Sequence, residues 1–138
     1  MSCPSGSYTV STVGPIAASA FENCDSLTSV IIGDSVTSIG KYAFYNCDSL
    51  SSVTIGDSVT SIGTGPFAGC SSLVAMSVSA LNKAYASVGG VLFTKNVSVL
   101  VQFPGGVSGS YTVPNSVTSI GAYAFCDCDA LSSVTGGV

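Results

Sequence analysis

The sequence predicts a repeat solenoid of the α/β class, with parallel β-strands, short helical or 3-10 turns, and one inserted β-hairpin. Three observations predict it. Cys24, Cys47 and Cys70 are spaced by 23 residues, as are Phe21, Phe44 and Phe67, and Leu27, Leu50 and Leu73. The apolar set Val13, Ile16, Val30 and Ile32 recurs as Val36, Ile39, Val53 and Ile55, and again as Val59, Ile62, Met76 and Val78. After an interruption over residues 79–112 the pattern returns as Val117, Ile120, Phe125, Cys128, Leu131 and Val134. A fixed period of this length is the mark of units that stack because none can bury its apolar side chains alone.

Within a unit the elements follow in order. Leu50-x-x-Val53-x-Ile55 passes from a turn-like spacing into period-2 alternation, as where a chain enters a short strand. Gly56-Asp57 ends that strand and turns the chain. Val59 to Ile62 forms a second extended stretch, and Gly40 or Gly63 leads into a helical or 3-10 turn carrying Ala43-Phe44 and Cys47. Stacking such units at ~4.8 Å pairs their strands in parallel around one core. The chain thus reads as one domain over 1–138, with repeats near 13–35, 36–58 and 59–78, a hairpin-containing variant at 79–112, and a repeat at 113–138.

The variant carries extra length. Val78 and Val113 read as equivalent strand positions 35 residues apart. The excess reads as a hairpin: Val91–Thr94, a turn near Lys95-Asn96, then Ser98–Phe103, closed by Pro104-Gly105-Gly106. Such an insertion either projects as a recognition element or covers one flank of the core. The projecting reading presents Phe93, Lys95, Asn96 and Val97 to a partner, and implies that the solenoid folds without residues 87–104.

Composition narrows the function. Only 7% of residues are charged, the net charge is −4, and the cations are Lys41, Lys83 and Lys95. That is too few to bind nucleic acid or an anionic membrane surface. Ser, Thr and Gly interrupt every apolar run well short of the ~20 residues that span a bilayer. The start, Met-Ser-Cys-Pro, has neither the basic residues nor the apolar stretch of a signal peptide. So sparsely charged a surface is expected to be partly covered by a partner. Catalysis is not expected: with no His and no Arg, a nucleophile–base pair would need Lys, Asp or Glu, whose positions here are repetitive. No cofactor is implied.

Stacked Cys24, Cys47 and Cys70 would bring Cα atoms to ~4.8 Å, within disulfide reach, but parallel side chains keep Cβ atoms too far apart. These three are therefore expected as reduced core residues. Cys126-Asp-Cys128 lacks the His or second Cys pair of a zinc site. Cys126 replaces Glu22 and Tyr45, which look outward, so it is expected as an exposed thiol; Cys3 is left open. Two acidic columns, Asp25/Asp48/Asp129 and Asp34/Asp57, could hold a hard cation such as Ca²⁺, or could serve turns, where Asp bonds nearby N–H groups. Ser71 breaks the first column, which favours turns.

Outward positions of the main sheet alternate with the buried ones: Ser29 and Ile31, Ser52 and Thr54, Ala75 and Ser77, then Ser133 and Thr135. This small, mostly hydroxyl face suits a protein strand or loop, or a glycan; the mixed rows argue against ice binding. Gly6–Val10 repeats the pattern of Gly109–Val113, and the sequence closes at Val134–Val138 inside a repeat. Both ends are expected to be capped by more repeats or a partner, unless irregular terminal residues suffice.

Leu50 to Cys70 resembles the BspA-like leucine-rich-repeat unit, Leu-x-x-Val/Leu-x-Ile-Pro-x-x-Val-x-x-Ile-Gly-x-x-Ala-Phe-x-x-Cys, with Gly56 in place of the usual Pro; Pro114 keeps it later. The Gly-Val-Leu-Phe hairpin and downstream Gln-Phe-Pro are similar to a recurrent insertion of that family. The resemblance implies a leucine-rich-repeat solenoid and a cell-surface or secreted, non-catalytic protein-binding module. Adhesion or recognition would be directed at extracellular matrix or a host surface. The alternative is a small structural or scaffold subunit packed among the subunits of a larger multiprotein assembly. The family has no catalytic residue or short binding motif to carry over.

Overall fold

The computed structural model describes residues 3–136, so Met1, Ser2 and the end of the last repeat, Gly137 and Val138, lie outside it. Four of its thirteen strands carry the main face: β1 (Gly6–Val10), β3 (Leu27–Ile32), β5 (Ser52–Ile55) and β7 (Ala75–Val78); β13 (Leu131–Thr135) lies in a separate sheet. A second row comprises β2 (Gly14–Ile16), β4 (Val36–Ile39), β6 (Ser61–Ile62) and β12 (Ser119–Ile120). The insertion holds β8 (Tyr85–Val88), β9 (Val91–Thr94) and β10 (Val99–Gln102), followed by β11 (Gly109–Thr112).

Strands β1-β3-β5-β7 form one parallel sheet and β2-β4-β6 another. Val30 pairs with Val53 and Val53 with Met76, so the register is the sequence period itself. Alternation along each strand decides what is buried. In β5, Val53 and Ile55 face the core while Ser52 and Thr54 face solvent. Between the two rows the Phe side chains stack: centroids are 5.0 Å apart for Phe21–Phe44 and 5.3 Å for Phe44–Phe67.

The expected helical or 3-10 turns are corrected to successive hydrogen-bonded turns, and the described residues form no helix. The backbone explains why. Tyr42, Phe44 and Asn46 donate their N–H groups to Thr64, Pro66 and Ala68 of the next coil, at 3.0, 2.8 and 2.9 Å. The intervening Ala43 and Tyr45 bond three residues back. Tyr42 and Asn46 also sit at φ 58° and 57°, which an α-helix cannot accommodate. Stacking outcompetes the helix for its donors.

In the fourth coil β8, β9 and β10 pair antiparallel, and β10 then pairs parallel with β12. β9 separates two cores: Leu92 points into the larger and Phe93 into the smaller, both fully buried. Removing residues 87–104 would open both, so the expectation of a solenoid that folds without them is corrected. Val78 and Val113 hold like positions in their coils, but their strands do not pair. β11 pairs only with β13, in a separate sheet, because the Gly89-Gly90 turn occupies the edge of β7. Met76 N–H donates to Gly90 C=O at 2.9 Å and Val78 N–H to Ser87 Oγ at 3.1 Å.

Side chains replace the main-chain ladder here. Tyr85 Oη accepts Ile62 N–H at 2.9 Å. Buried Asn82 donates to Gly56 and Val59 C=O and accepts from Ala84 and Tyr85 N–H. Gln102, also buried, accepts Phe67 N–H at 3.3 Å through Oε1 and donates to Tyr123 and Ala124 C=O through Nε2. Phe103 then resumes the aromatic column, 5.2 Å from Phe125. Gly106 stands three residues after Phe103, as Cys70 stands after Phe67. Its N–H reaches Leu73 C=O at 2.7 Å, and a Cβ there would lie 2.8 Å from the carbonyl carbon of Ser72.

One cysteine expectation is overturned: Cys24 is joined to Cys3 in a disulfide, with Cα atoms 5.2 Å apart. The thiols of Cys47 and Cys70 donate to Phe21 and Phe44 C=O of the preceding coil. The argument about parallel side chains holds for those two, which are free and buried. Cys3 belongs to no regular coil, so its Cβ is free to turn toward Cys24.

Gln102→Ala should destabilise the chain by about 1–3 kcal/mol, since it strands the Phe67 N–H in a dry interior. Urea unfolding checks this; a loss below ~0.5 kcal/mol would mean that the bridge contributes nothing.

Candidate interaction surface

On the main sheet the outward residues align in two rows across the strands. Ser7, Ser29, Ser52 and Ala75 form one, and Thr9, Ile31, Thr54 and Ser77 the other. Ser29 Oγ donates to Ser7 Oγ at 2.8 Å and Ser77 Oγ to Thr54 Oγ1 at 3.4 Å. Ser29 is half-buried, Ser52, Thr54, Ala75 and Ser77 are exposed, and Ile31 is 50% exposed. Ser133 and Thr135 are exposed but belong to the β11–β13 sheet, opposite Ser110 and Thr112. The single expected face is therefore two patches, divided by the insertion. Ser7 and Thr9 were missed as part of it, although the match of Gly6–Val10 to Gly109–Val113 was the available signal.

The hairpin candidates separate. Phe93 is fully buried, which corrects its place at an exposed tip. Val97 is half-buried, packs on the smaller core and has φ 56°. Lys95 and Asn96 are exposed, but Asn96 Oδ1 accepts from Thr94 and Ser98, so that side chain shapes its own turn.

The acidic column after the strand links coils. Asp57 N–H donates to Asp34 Oδ1 at 3.2 Å, and Ser79 Oγ donates to Asp57 Oδ1. Cys126 is partly exposed, and burial together with Asp127 raises its thiol pKa. Burial lifts Cys128 to about 11. Hydrogen bonding with Cys47 and burial push Cys70 up as well.

A further surface feature went unread in the sequence: an aromatic cluster on the turns. Tyr42 meets Tyr123 edge-on with centroids 5.4 Å apart, and Tyr45 lies 5.4 Å from Tyr42. The Tyr-Ala-Phe triplet that occurs at both 42–44 and 123–125 was the signal. Hydrogen bonding with Tyr123, followed by desolvation, raises the Tyr42 phenol to about 12.

Parallel strands repeated every 23 residues, with Leu at the strand entry and a Phe–Cys turn, define a leucine-rich-repeat solenoid. The model of the BspA type leucine rich repeat region matches in six copies, over residues 5–108 and 103–137, and the chain belongs to that family. A leucine rich cell surface protein from Faecalibacterium prausnitzii is similar in structure, with TM-score 0.73, 28% identity, and coverage of 95% of this chain and 41% of that one. A leucine-rich-repeat protein of T. pallidum shares 31% identity, with TM-score 0.57, over 87% of this chain and 50% of its own. The pneumococcal vaccine antigen PcpA, at 23% identity and TM-score 0.69, shares the fold over 89% of this chain and 36% of its own. The chain thus spans half or less of each of these three proteins. No curated protein matches it in sequence.

Two measurements test the site chemistry. In native protein a thiol reagent should label Cys126 first, and Cys47 and Cys70 only on unfolding, as peptide mass mapping would show; equal rates would contradict the burial. Tyr123→Phe removes the neighbouring phenol that raises Tyr42, so Tyr42 should ionise nearer its ordinary value of 10, read by NMR titration of the ring signals.

Proposed function

We propose that the chain is a non-catalytic protein-binding module of the leucine-rich-repeat type, acting in adhesion or recognition through its main sheet face. One observation carries the reading: two solvent-facing rows of small residues, with Ile31 half-exposed among hydroxyls, lie on a sheet whose backbone is already paired. Such a face offers many weak hydrogen bonds around an apolar point without needing to reorganise. Ser133 and Thr135 form a smaller second patch, and Lys95 and Asn96 a rim contact. A cell-surface or secreted setting is supported by the Cys3–Cys24 disulfide, which suits an oxidising compartment. Extracellular matrix or a host surface supplies the partner.

A second reading, a structural or scaffold subunit in a larger assembly, draws on the two ends. The N-terminal end holds a hollow of about 320 Å³ lined by Tyr8, Val10, Ile16 and Phe21, mainly apolar. At the other end Val113, Ile120, Phe125 and Val134 line a hollow of about 140 Å³. More repeats or a partner would cap both.

The test uses the full chain against immobilised collagen, laminin and fibronectin by biolayer interferometry. At least one should bind, and Ile31→Arg combined with Thr54→Arg should weaken it at least tenfold while leaving the circular dichroism unchanged. Binding indifferent to that double variant would move the site off the sheet. No binding, together with fixed-stoichiometry association with other subunits, would favour the assembly.

A further inference from the structure

The hairpin of the fourth coil turns in an unusual way. Between β9 and β10 the chain reads Lys95-Asn96-Val97-Ser98. Val97 N–H closes the turn on Thr94 C=O at 2.8 Å, and Val97 itself stands in the left-handed region at φ 56°. That place in a three-residue hairpin loop suits Gly or Asn, and a β-branched residue is an outlier there. Packing holds Val97 in it. Its side chain is half-buried against the smaller core, and its C=O accepts Ser116 Oγ at 2.8 Å. Asn96, the residue type that would relieve the strain, stands one position earlier, exposed at the tip.

The two ends of the Asn96 amide have different surroundings. Ser98 N–H and Ser98 Oγ meet one terminal atom at 3.3 and 2.7 Å, and Thr94 Oγ1 meets the same atom at 3.2 Å. A main-chain N–H can only donate, so that atom is the carbonyl oxygen. The nitrogen, Nδ2, is the end left over, and among the described residues it donates to no protein group. Asn96-Val97-Ser98 is also an Asn-x-Ser triplet with x other than Pro, the acceptor triplet of amide-linked glycosylation. Asn23, Asn46, Asn82 and Asn115 do not form it, since Asp, Asp, Ala and Val stand two places after them. The triplet thus falls on an exposed hairpin tip, with its hydroxyl on the amide oxygen and its nitrogen free.

We infer that Asn96 is a glycosylation site and that the hairpin tip bears an oligosaccharide on Nδ2. The inference rests on the cell-surface or secreted setting proposed above, which the Cys3–Cys24 disulfide supports independently of the triplet. The donor is an oligosaccharide carried on a lipid pyrophosphate, and the catalyst is a membrane transferase. Nδ2 attacks the anomeric carbon, the N–C bond forms, and the C–O bond to pyrophosphate breaks. The lipid pyrophosphate leaves with that bond's electron pair, the amide proton passes to a base of the transferase, and nothing is oxidised or reduced. The surroundings give the sugar a use. Lys95 Nζ reaches Ala80 C=O at 3.5 Å, which puts the tip beside Leu81, 73% exposed. A bulky, hydrated glycan would shield that apolar residue on a chain of which only 7% is charged. Asn96 then meets a partner through its sugar and not through its own amide.

The test isolates the full-length protein from the surface, secreted and internal fractions of the cells that make it. Its peptides are mapped by mass spectrometry before and after peptide N-glycanase, which leaves an aspartate where a glycosylated asparagine stood. The expected result is a glycan on Asn96 in most molecules and none on Asn23, Asn46, Asn82 or Asn115. Expressed in the same cells, Asn96→Gln and Ser98→Ala should each lose the glycan completely, whereas Ser98→Thr, which keeps the hydroxyl, should retain it. Protein recovered at the surface or in the medium with Asn96 bare would overturn the inference and leave the surface setting standing. Protein found only inside the cell with Asn96 bare would overturn both. A glycan that persists in Ser98→Ala, or one attached only at another residue, would also overturn it.

Discussion

Each coil of a solenoid leaves backbone N–H and C=O groups aimed at its neighbours, and in this chain nearly every other feature follows from pairing them. Buried backbone groups without partners are costly, so a coil's length is set by its neighbours as much as by its own residues. The demand fixes the register, since Val30, Val53 and Met76 align only if each coil returns after the same number of residues. It also dictates the turns. Tyr42, Phe44 and Asn46 spend their N–H groups on the next coil, which leaves no helix to form. The Phe and Cys columns follow, because side chains at one place in each coil must stack once the backbones are in register.

The insertion shows how the same demand is met when the main chain departs from the pattern. Tyr85, Ser87 and Gln102 accept the N–H groups of Ile62, Val78 and Phe67, and Asn82 holds Gly56 and Val59 C=O. Four polar side chains thus stand where a regular coil would present backbone. Gln102 bridges both neighbours, since its amide supplies an acceptor to one side and donors to the other. A hydrocarbon side chain of the same size would fill the space and leave Phe67 N–H and Tyr123 C=O unmet, while Ala124 C=O would still accept Phe103 N–H.

What the sequence disclosed and what it hid divide along this line. Columns of identical residues at a constant interval were legible because burial is decided by period: Phe44, Cys47 and Leu50 are all fully buried. The register of the two regular sheets was legible for the same reason. Phe93 was misjudged because alternation in a hairpin does not say which face is core when both faces are covered. The split of the sheet was hidden, since Val113 repeats the strand pattern while its neighbour in space is set by where Gly89-Gly90 turns. The Cys3–Cys24 bond was hidden because period arguments describe only residues inside the period. Tyr42 and Tyr123 were not singled out, because their left-handed backbone is a tertiary consequence of the ladder.

Regularity and function pull in opposite directions here. On the main sheet the coils that pair most completely present mostly small residues outward, and that face differs little from one coil to the next. A partner reading that face alone would find Ser29, Ser52 and their neighbours nearly interchangeable, with Ile31 the main landmark. Distinction enters where the ladder fails, because there main-chain groups, bulky rings and a concave wall come together. The stand-ins near the break are arranged unevenly. Gln102 and Tyr85 satisfy Phe67 and Ile62 N–H, while Gly65 N–H and Ile62 C=O stay open beside Tyr42. Had the fourth coil been regular, its own turn would have filled that space and Tyr42 would have faced another coil instead of solvent. The insertion therefore shapes this surface less by what it displays than by the space it leaves between the third and fifth coils.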